Sequence, residues 1–111
     1  MESLFSAAIS AKVLGMLNLK EVRQRREEIV RLAEKYHASN VRVFGSVARG
    51  AENPDSDIDI LINTEPGCTL FDLGGLLANL EDLLGGRVDL VAEDGLKESI
   101  RSSVLREAVP L

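Results

Sequence analysis

The stretch Val41-Arg-Val-Phe-Gly45-Ser-Val-Ala-Arg-Gly50-Ala-Glu-Asn-Pro-Asp55-Ser-Asp-Ile-Asp59-Ile-Leu-Ile-Asn63 decides how the rest of the chain is read. A short apolar run (Val41, Val43, Phe44) ends in Gly45-Ser46, and Asp57 and Asp59 open a second apolar run, Ile58, Ile60, Leu61 and Ile62. Side chains alternate faces along a strand, so a strand over 57–62 would turn Asp57 and Asp59 one way and the isoleucines the other, into a core. Two carboxylates at that spacing repel each other, and a divalent cation relieves the repulsion. Gly45-Ser46 offers what a metal-bound phosphate also needs: close backbone approach, free N–H groups and a hydroxyl.

An isolated Asp-x-Asp is common and reads as a solvated strand end. A strand, Gly-Ser, ten residues and then Asp-x-Asp heading another strand is far more restrictive. This pattern resembles the GSx10DxD signature of the nucleotidyltransferase superfamily that includes polymerase β, with Gly45, Ser46, Asp57 and Asp59 in the matching places. Ala48-Arg49-Gly50 and Asp55-Ser56 are similar to the forms GSxARG and SDxD of its small prokaryotic branch, the minimal nucleotidyltransferases. The resemblance spans roughly residues 19–111 and extends to the closing Arg106-Glu-Ala-Val-Pro-Leu111.

The chain of 111 residues has room for one domain with a modest core. Hydrophobic residues at 45% and charged residues at 28% are the balance of a soluble globular protein. A net charge of −5 and the absence of Trp argue against direct gripping of nucleic acid. The single Cys68 excludes an intrachain disulfide, and with one histidine, His37, it offers little to zinc. A reducing cytoplasm fits. Residues 1–17 are mildly apolar but lack a basic leader and are interrupted by Lys12, so neither a secretory signal nor a membrane span is expected. They read as a helical extension that packs on the domain, residues 18–111, or on a second copy of the chain.

Asn18 with Glu21 marks a helix start, and Leu19, Val22, Ile29, Leu32, Ala33 and Tyr36 continue at helical spacing. Arg23, Arg25 and Arg26 read as a solvated face balanced by Glu27 and Glu28. Residues 37–40 are expected to be a turn and 41–44 a strand. Val47–Gly50 should form a helical turn with its amides toward phosphate, and Arg49 could aim at a triphosphate or hold a carboxylate. A leucine stripe from Leu70 to Leu84 predicts a helix opened by Thr69 and Asp72 and closed by Gly85-Gly86. Gly74-Gly75 inside it implies a close neighbour or a bend. Residues 87–91 alternate as a third strand, so Asp89 can join Asp57 and Asp59 if that strand lies beside the second. The segment 96–109 is expected to be helical and to stop at Pro110. The fold class is α/β (formally α+β): a small mixed β-sheet with helices mainly on one face.

The resemblance implies transfer of a nucleotide from ATP by in-line attack of a hydroxyl on the α-phosphorus. By resemblance Asp57, Asp59 and Asp89 are the catalytic, metal-holding residues, two Mg²⁺ ions are the cofactors, and Gly45, Ser46 and Arg49 bind the nucleotide phosphates. It further implies an antitoxin that transfers AMP to a tyrosine hydroxyl of a HEPN-type helical toxin. A non-catalytic antitoxin or nucleotide-binding module that acts by contact is the alternative of a different class, and transfer to a small-molecule hydroxyl is a third.

Overall fold

A computed structural model of the chain describes residues 17–51, 53 and 55–111; the expected helical extension over 1–17 lies, but for Leu17, outside them. The chain runs α1 (Leu19–Gln24), α2 (Arg26–Lys35), β1 (Ala38–Phe44), α3 (Gly45–Arg49), β2 (Ile58–Thr64), α4 (Leu70–Leu84), β3 (Val88–Ala92), a 3₁₀ turn (Glu93–Gly95), α5 (Glu98–Glu107) and β4 (Val109–Pro110). The strands form a mixed sheet in the order β3-β2-β1-β4. β1 pairs antiparallel with β2 and β4, and β2 pairs parallel with β3. The parallel pair needs a crossover, and α4 supplies it.

This topology gathers three chain positions at one end of the sheet. β1 runs antiparallel to β2, so its last residue lies beside the beginning of β2, with Phe44 opposite Asp59. β3 runs parallel to β2, so its beginning lies there too, with Asp89 opposite Asp59.

The core forms where α1, α2 and α4 cover one face of the sheet. Val43, Ile58, Ile60 and Ile62 meet Val22, Ile29, Ala33, Leu76 and Leu80, all buried. The alternating isoleucines of β2 thus point as their spacing dictates. The leucine stripe of α4 likewise buries Leu76, Leu80 and Leu84, each gaining about 1.5–3 kcal/mol over exposure. Thr69 caps α4 in a full capping box, Asp72 N–H donating to Thr69 Oγ1 (3.2 Å) and Thr69 N–H to Asp72 Oδ2 (2.9 Å). The close neighbour of the Gly74-Gly75 pair is Tyr36: a Cβ on Gly75 would stand 2.6 Å from its ring.

Several local expectations are corrected. The first helix is two helices, because Arg25 leaves helical geometry (φ −100°, ψ 14°) and its N–H bonds back to Val22. The turn before β1 ends at His37, and Ala38 is already a buried strand residue. A bulge between Ser39 and Arg42 absorbs one extra residue, with Asn40 at φ 50°, a conformation Asn tolerates better than most side chains. α3 starts at Gly45 rather than Val47, β2 at Ile58 rather than Asp57, and β3 at Val88 rather than Arg87. Val109 does not extend the last helix: it pairs with Val43 as part of edge strand β4.

The second face is held differently. Leu61 and Val104 are buried there, beside a buried Arg42. Arg42 donates to Glu93 Oε1 (2.6 Å), Asn63 Oδ1 (2.6 Å) and the Asn40 carbonyl (3.0 Å). Arg101 of α5 donates to the Glu93 carbonyl (3.0 Å), so polar bonds tie α5 to the sheet.

Candidate active site

The end of the sheet where β1 stops and β2 and β3 begin carries the acids. Asp59 is half-buried, and its pKa is pushed up to about 6, first by burial and then by the charges of Asp89 and Asp57. The Asp59 and Asp89 carboxyls are within hydrogen-bonding reach, and the Arg49 guanidinium is near enough to pull weakly the other way. Asp57 stands just ahead of β2, and its Oδ1 lies 3.1 Å from Arg87 Nε. Asp59 and Asp89 therefore lie together, and Asp57 stands near enough to add its charge while also facing Arg87.

Gly45 is required twice over. Its φ of 72° is left-handed, and a Cβ built on it would fall 2.0 Å from Asp59 Oδ2. The glycine that ends β1 thus makes room for the central carboxylate. Ser46 follows, half-buried, in the first turn of α3, and Arg49 closes that helix, exposed. Gly45, Ser46 and Arg49 accordingly lie on the β1 side of Asp59, and Asp89 on its β3 side.

Two participants escaped the sequence reading. Arg87 follows directly on the glycines that end α4, which marks it only as a strand opener. Glu107, the last residue of α5, accepts a hydrogen bond from the Gly45 N–H through Oε1 (2.8 Å) and pairs with Arg49 Nη1 through Oε2 (3.1 Å). Glu107 lies within the closing segment 106–111 noted for its resemblance, but that resemblance gives it no contact, which depends on where α5 delivers it. His37 lies elsewhere, its Nδ1 3.3 Å from Asp72 Oδ2 at the start of α4.

Among the described residues, no group of three His, Cys, Asp or Glu side chains is close enough to hold an ion as it stands. The donor set nevertheless suits a hard divalent cation, since Asp59 and Asp89 offer carboxylate oxygens whose repulsion a cation would relieve. Among the same residues no helix is long and apolar enough to cross a membrane.

The chain is 41% identical over 101 residues to a protein adenylyltransferase, MntA, of Thermococcus cleftensis, an alignment covering 86% of this chain and 98% of that protein. A solved structure described as a minimal nucleotidyltransferase superposes with a TM-score of 0.78 at 50% identity, over 86% of this chain and 97% of that one. A toxin–antitoxin complex with AMP-PNP shares the fold, with a TM-score of 0.64 at 22% identity over 76% of this chain and 69% of that one. Residues 19–111 match the nucleotidyltransferase domain family, to which the chain belongs, and it is a nucleotidyltransferase.

Proposed function

We propose that the chain transfers AMP from ATP to a tyrosine hydroxyl of a HEPN-type partner toxin and so acts as its antitoxin. The observation that carries the reading is that Asp59 and Asp89 lie side by side, with the charge of Asp57 close by, at the sheet end where Gly45 and Ser46 leave β1. The similarity to the Thermococcus protein adenylyltransferase supports a protein acceptor and adenosine as the nucleoside. Asp89 lies exposed on edge strand β3, which leaves the nucleophile's side open to a large acceptor.

In this reading Asp57, Asp59 and Asp89 hold Mg²⁺, which supplies charge neutralisation at the phosphates and a more acidic attacking hydroxyl. Gly45 and Ser46 orient the β- and γ-phosphates with Arg49 beside them. Asp89, on the open side, takes the proton of the hydroxyl as its oxygen bonds to the α-phosphorus. The bond from the α-phosphorus to the bridging oxygen breaks and pyrophosphate leaves. Positioning and electrostatics account for the rate, and no covalent enzyme intermediate is needed.

The test incubates the purified chain with α-labelled ATP and Mg²⁺, with and without the protein encoded beside it, and in parallel the Asp57→Ala/Asp59→Ala variant. Label on the neighbour, absent with the double variant and with a tyrosine-to-phenylalanine acceptor, is the expected result. Co-purification of the two proteins with no transfer from any nucleotide would replace catalysis by inhibition through contact.

A further inference from the structure

We propose that Glu107 is a built-in competitor of the nucleotide, occupying the phosphate-binding groups until the triphosphate displaces it. This rests on the reading that Gly45 and Arg49 take the phosphates. The Glu107 carboxylate uses both oxygens against Arg49 Nη1, at 3.2 and 3.1 Å, and the first of them also accepts from the Gly45 N–H at 2.8 Å. An oxyanion bridging a backbone N–H and a guanidinium is the arrangement a phosphate would adopt there.

Stereochemistry makes the two occupants exclusive at Gly45. An amide has one hydrogen to donate, whereas the guanidinium has five and could serve both. The amide also has little freedom to turn elsewhere, since Gly45 is held in the left-handed region with its Cα against the Asp59 carboxyl. A phosphate oxygen can therefore reach this N–H only if Glu107 leaves it. Departure does not uncover a fully buried charge, because the Glu107 side chain is already 31% exposed. α5 does not depend on the contact: Val104 is buried, Arg101 is tied to Glu93, and Val109 pairs with Val43 beyond it. Removing the carboxylate should thus free the site and leave the fold intact.

The experiment measures calorimetric binding of Mg²⁺ with α,β-methylene ATP, which cannot be cleaved, to the full chain and to Glu107→Gln, Glu107→Asp and Arg49→Ala. Thermal melts establish that each variant is folded. Glu107→Gln should bind about fivefold more tightly than the parent, the scale of a half-exposed ion pair removed from competition. Glu107→Asp keeps the charge but falls a methylene short of the Gly45 N–H, so it should tighten binding as well. Arg49→Ala should weaken it. Unchanged or weaker binding by Glu107→Gln, with Arg49→Ala still weakened, overturns the competitor and leaves the phosphate reading standing. Tightening by Glu107→Gln but not by Glu107→Asp also overturns it, in favour of a long-range charge effect. If Arg49→Ala binds as the parent does, the phosphate reading itself fails, and the inference with it.

Discussion

Asp59 is half-buried between two other carboxyls, and burial followed by Asp89 and Asp57 pushes its pKa up to about 6. Unfolded, it titrates at its ordinary value of 3.8, so between these values the folded chain holds a proton that the unfolded chain has released. The contribution to stability is therefore fully present below the lower pKa and is lost as pH rises through the upper one. The expected outcome is that Asp59→Asn abolishes this decline and melts higher than the parent at pH 7 in EDTA. Thermal melts of both chains between pH 4 and 7 check it; equal slopes would contradict the crowding of the acids. Mg²⁺ should then raise the melting temperature of the parent by more than that of Asp59→Asn, because an ion stabilises only the state that binds it. Gly45→Ala should unfold more readily by at least about 1 kcal/mol from the left-handed backbone alone, before the clash with Asp59 is added. The Gly45 and Asp59 pairing was legible in the motif, but for another reason. The sequence assigned Gly45 to close approach of a phosphate, and the structure adds that the Asp59 carboxyl itself fills the space a Cβ would need.

At the scale of the elements, α4 offers an internal control. Gly74 has open space where a Cβ would go, and Gly75 has the Tyr36 ring there. Gly74→Ala should stabilise the chain by about 0.5–1 kcal/mol through helix propensity. Gly75→Ala gains the same propensity but must displace a ring whose hydroxyl accepts from Asn79 Nδ2 (3.0 Å), so it should be net destabilising. Urea midpoints of the two variants should move in opposite directions; movement in the same direction would mean that Tyr36 gives way freely. The same helix shows what patterning can reveal. Its stripe, its Thr69 cap and its Gly85 stop are written in neighbouring residues, and all three stand where expected. The break at Arg25 carries no glycine or proline to announce it. β4, two residues long, has no alternation to detect, and its pairing with β1 is settled by where α5 delivers it.

Over the whole molecule, the two faces of the sheet are stabilised by different physics, and only one was legible. The first is apolar and periodic. The second hinges on Arg42, which sits between Val41 and Val43 and to which the sequence reading gave no role. It is buried, at 7% exposure, against Glu93 of the 3₁₀ turn and Asn63. Its charge is balanced by Glu93, which also faces Arg101 at 3.6 Å, so one carboxylate links β1, the end of β3 and α5. Removing Glu93 costs more than removing the arginine's charge, because it strands the more deeply buried guanidinium away from water. Glu93→Ala should accordingly lower the unfolding free energy by about 3 kcal/mol, near the low end for a broken buried pair. Arg42→Met, which leaves only the better-solvated Glu93 behind, should cost clearly less. Urea unfolding of the two variants decides this, and an equal loss would mean that the arginine's packing matters more than its charge. Because the Glu93 carboxylate also faces Arg101 of α5, Glu93→Ala should speed amide exchange along Glu98–Glu107 more than along Leu70–Leu84. That helix carries Glu107 to the Gly45 N–H, so the same loosening should reach the candidate active site through the second face and leave the apolar core undisturbed.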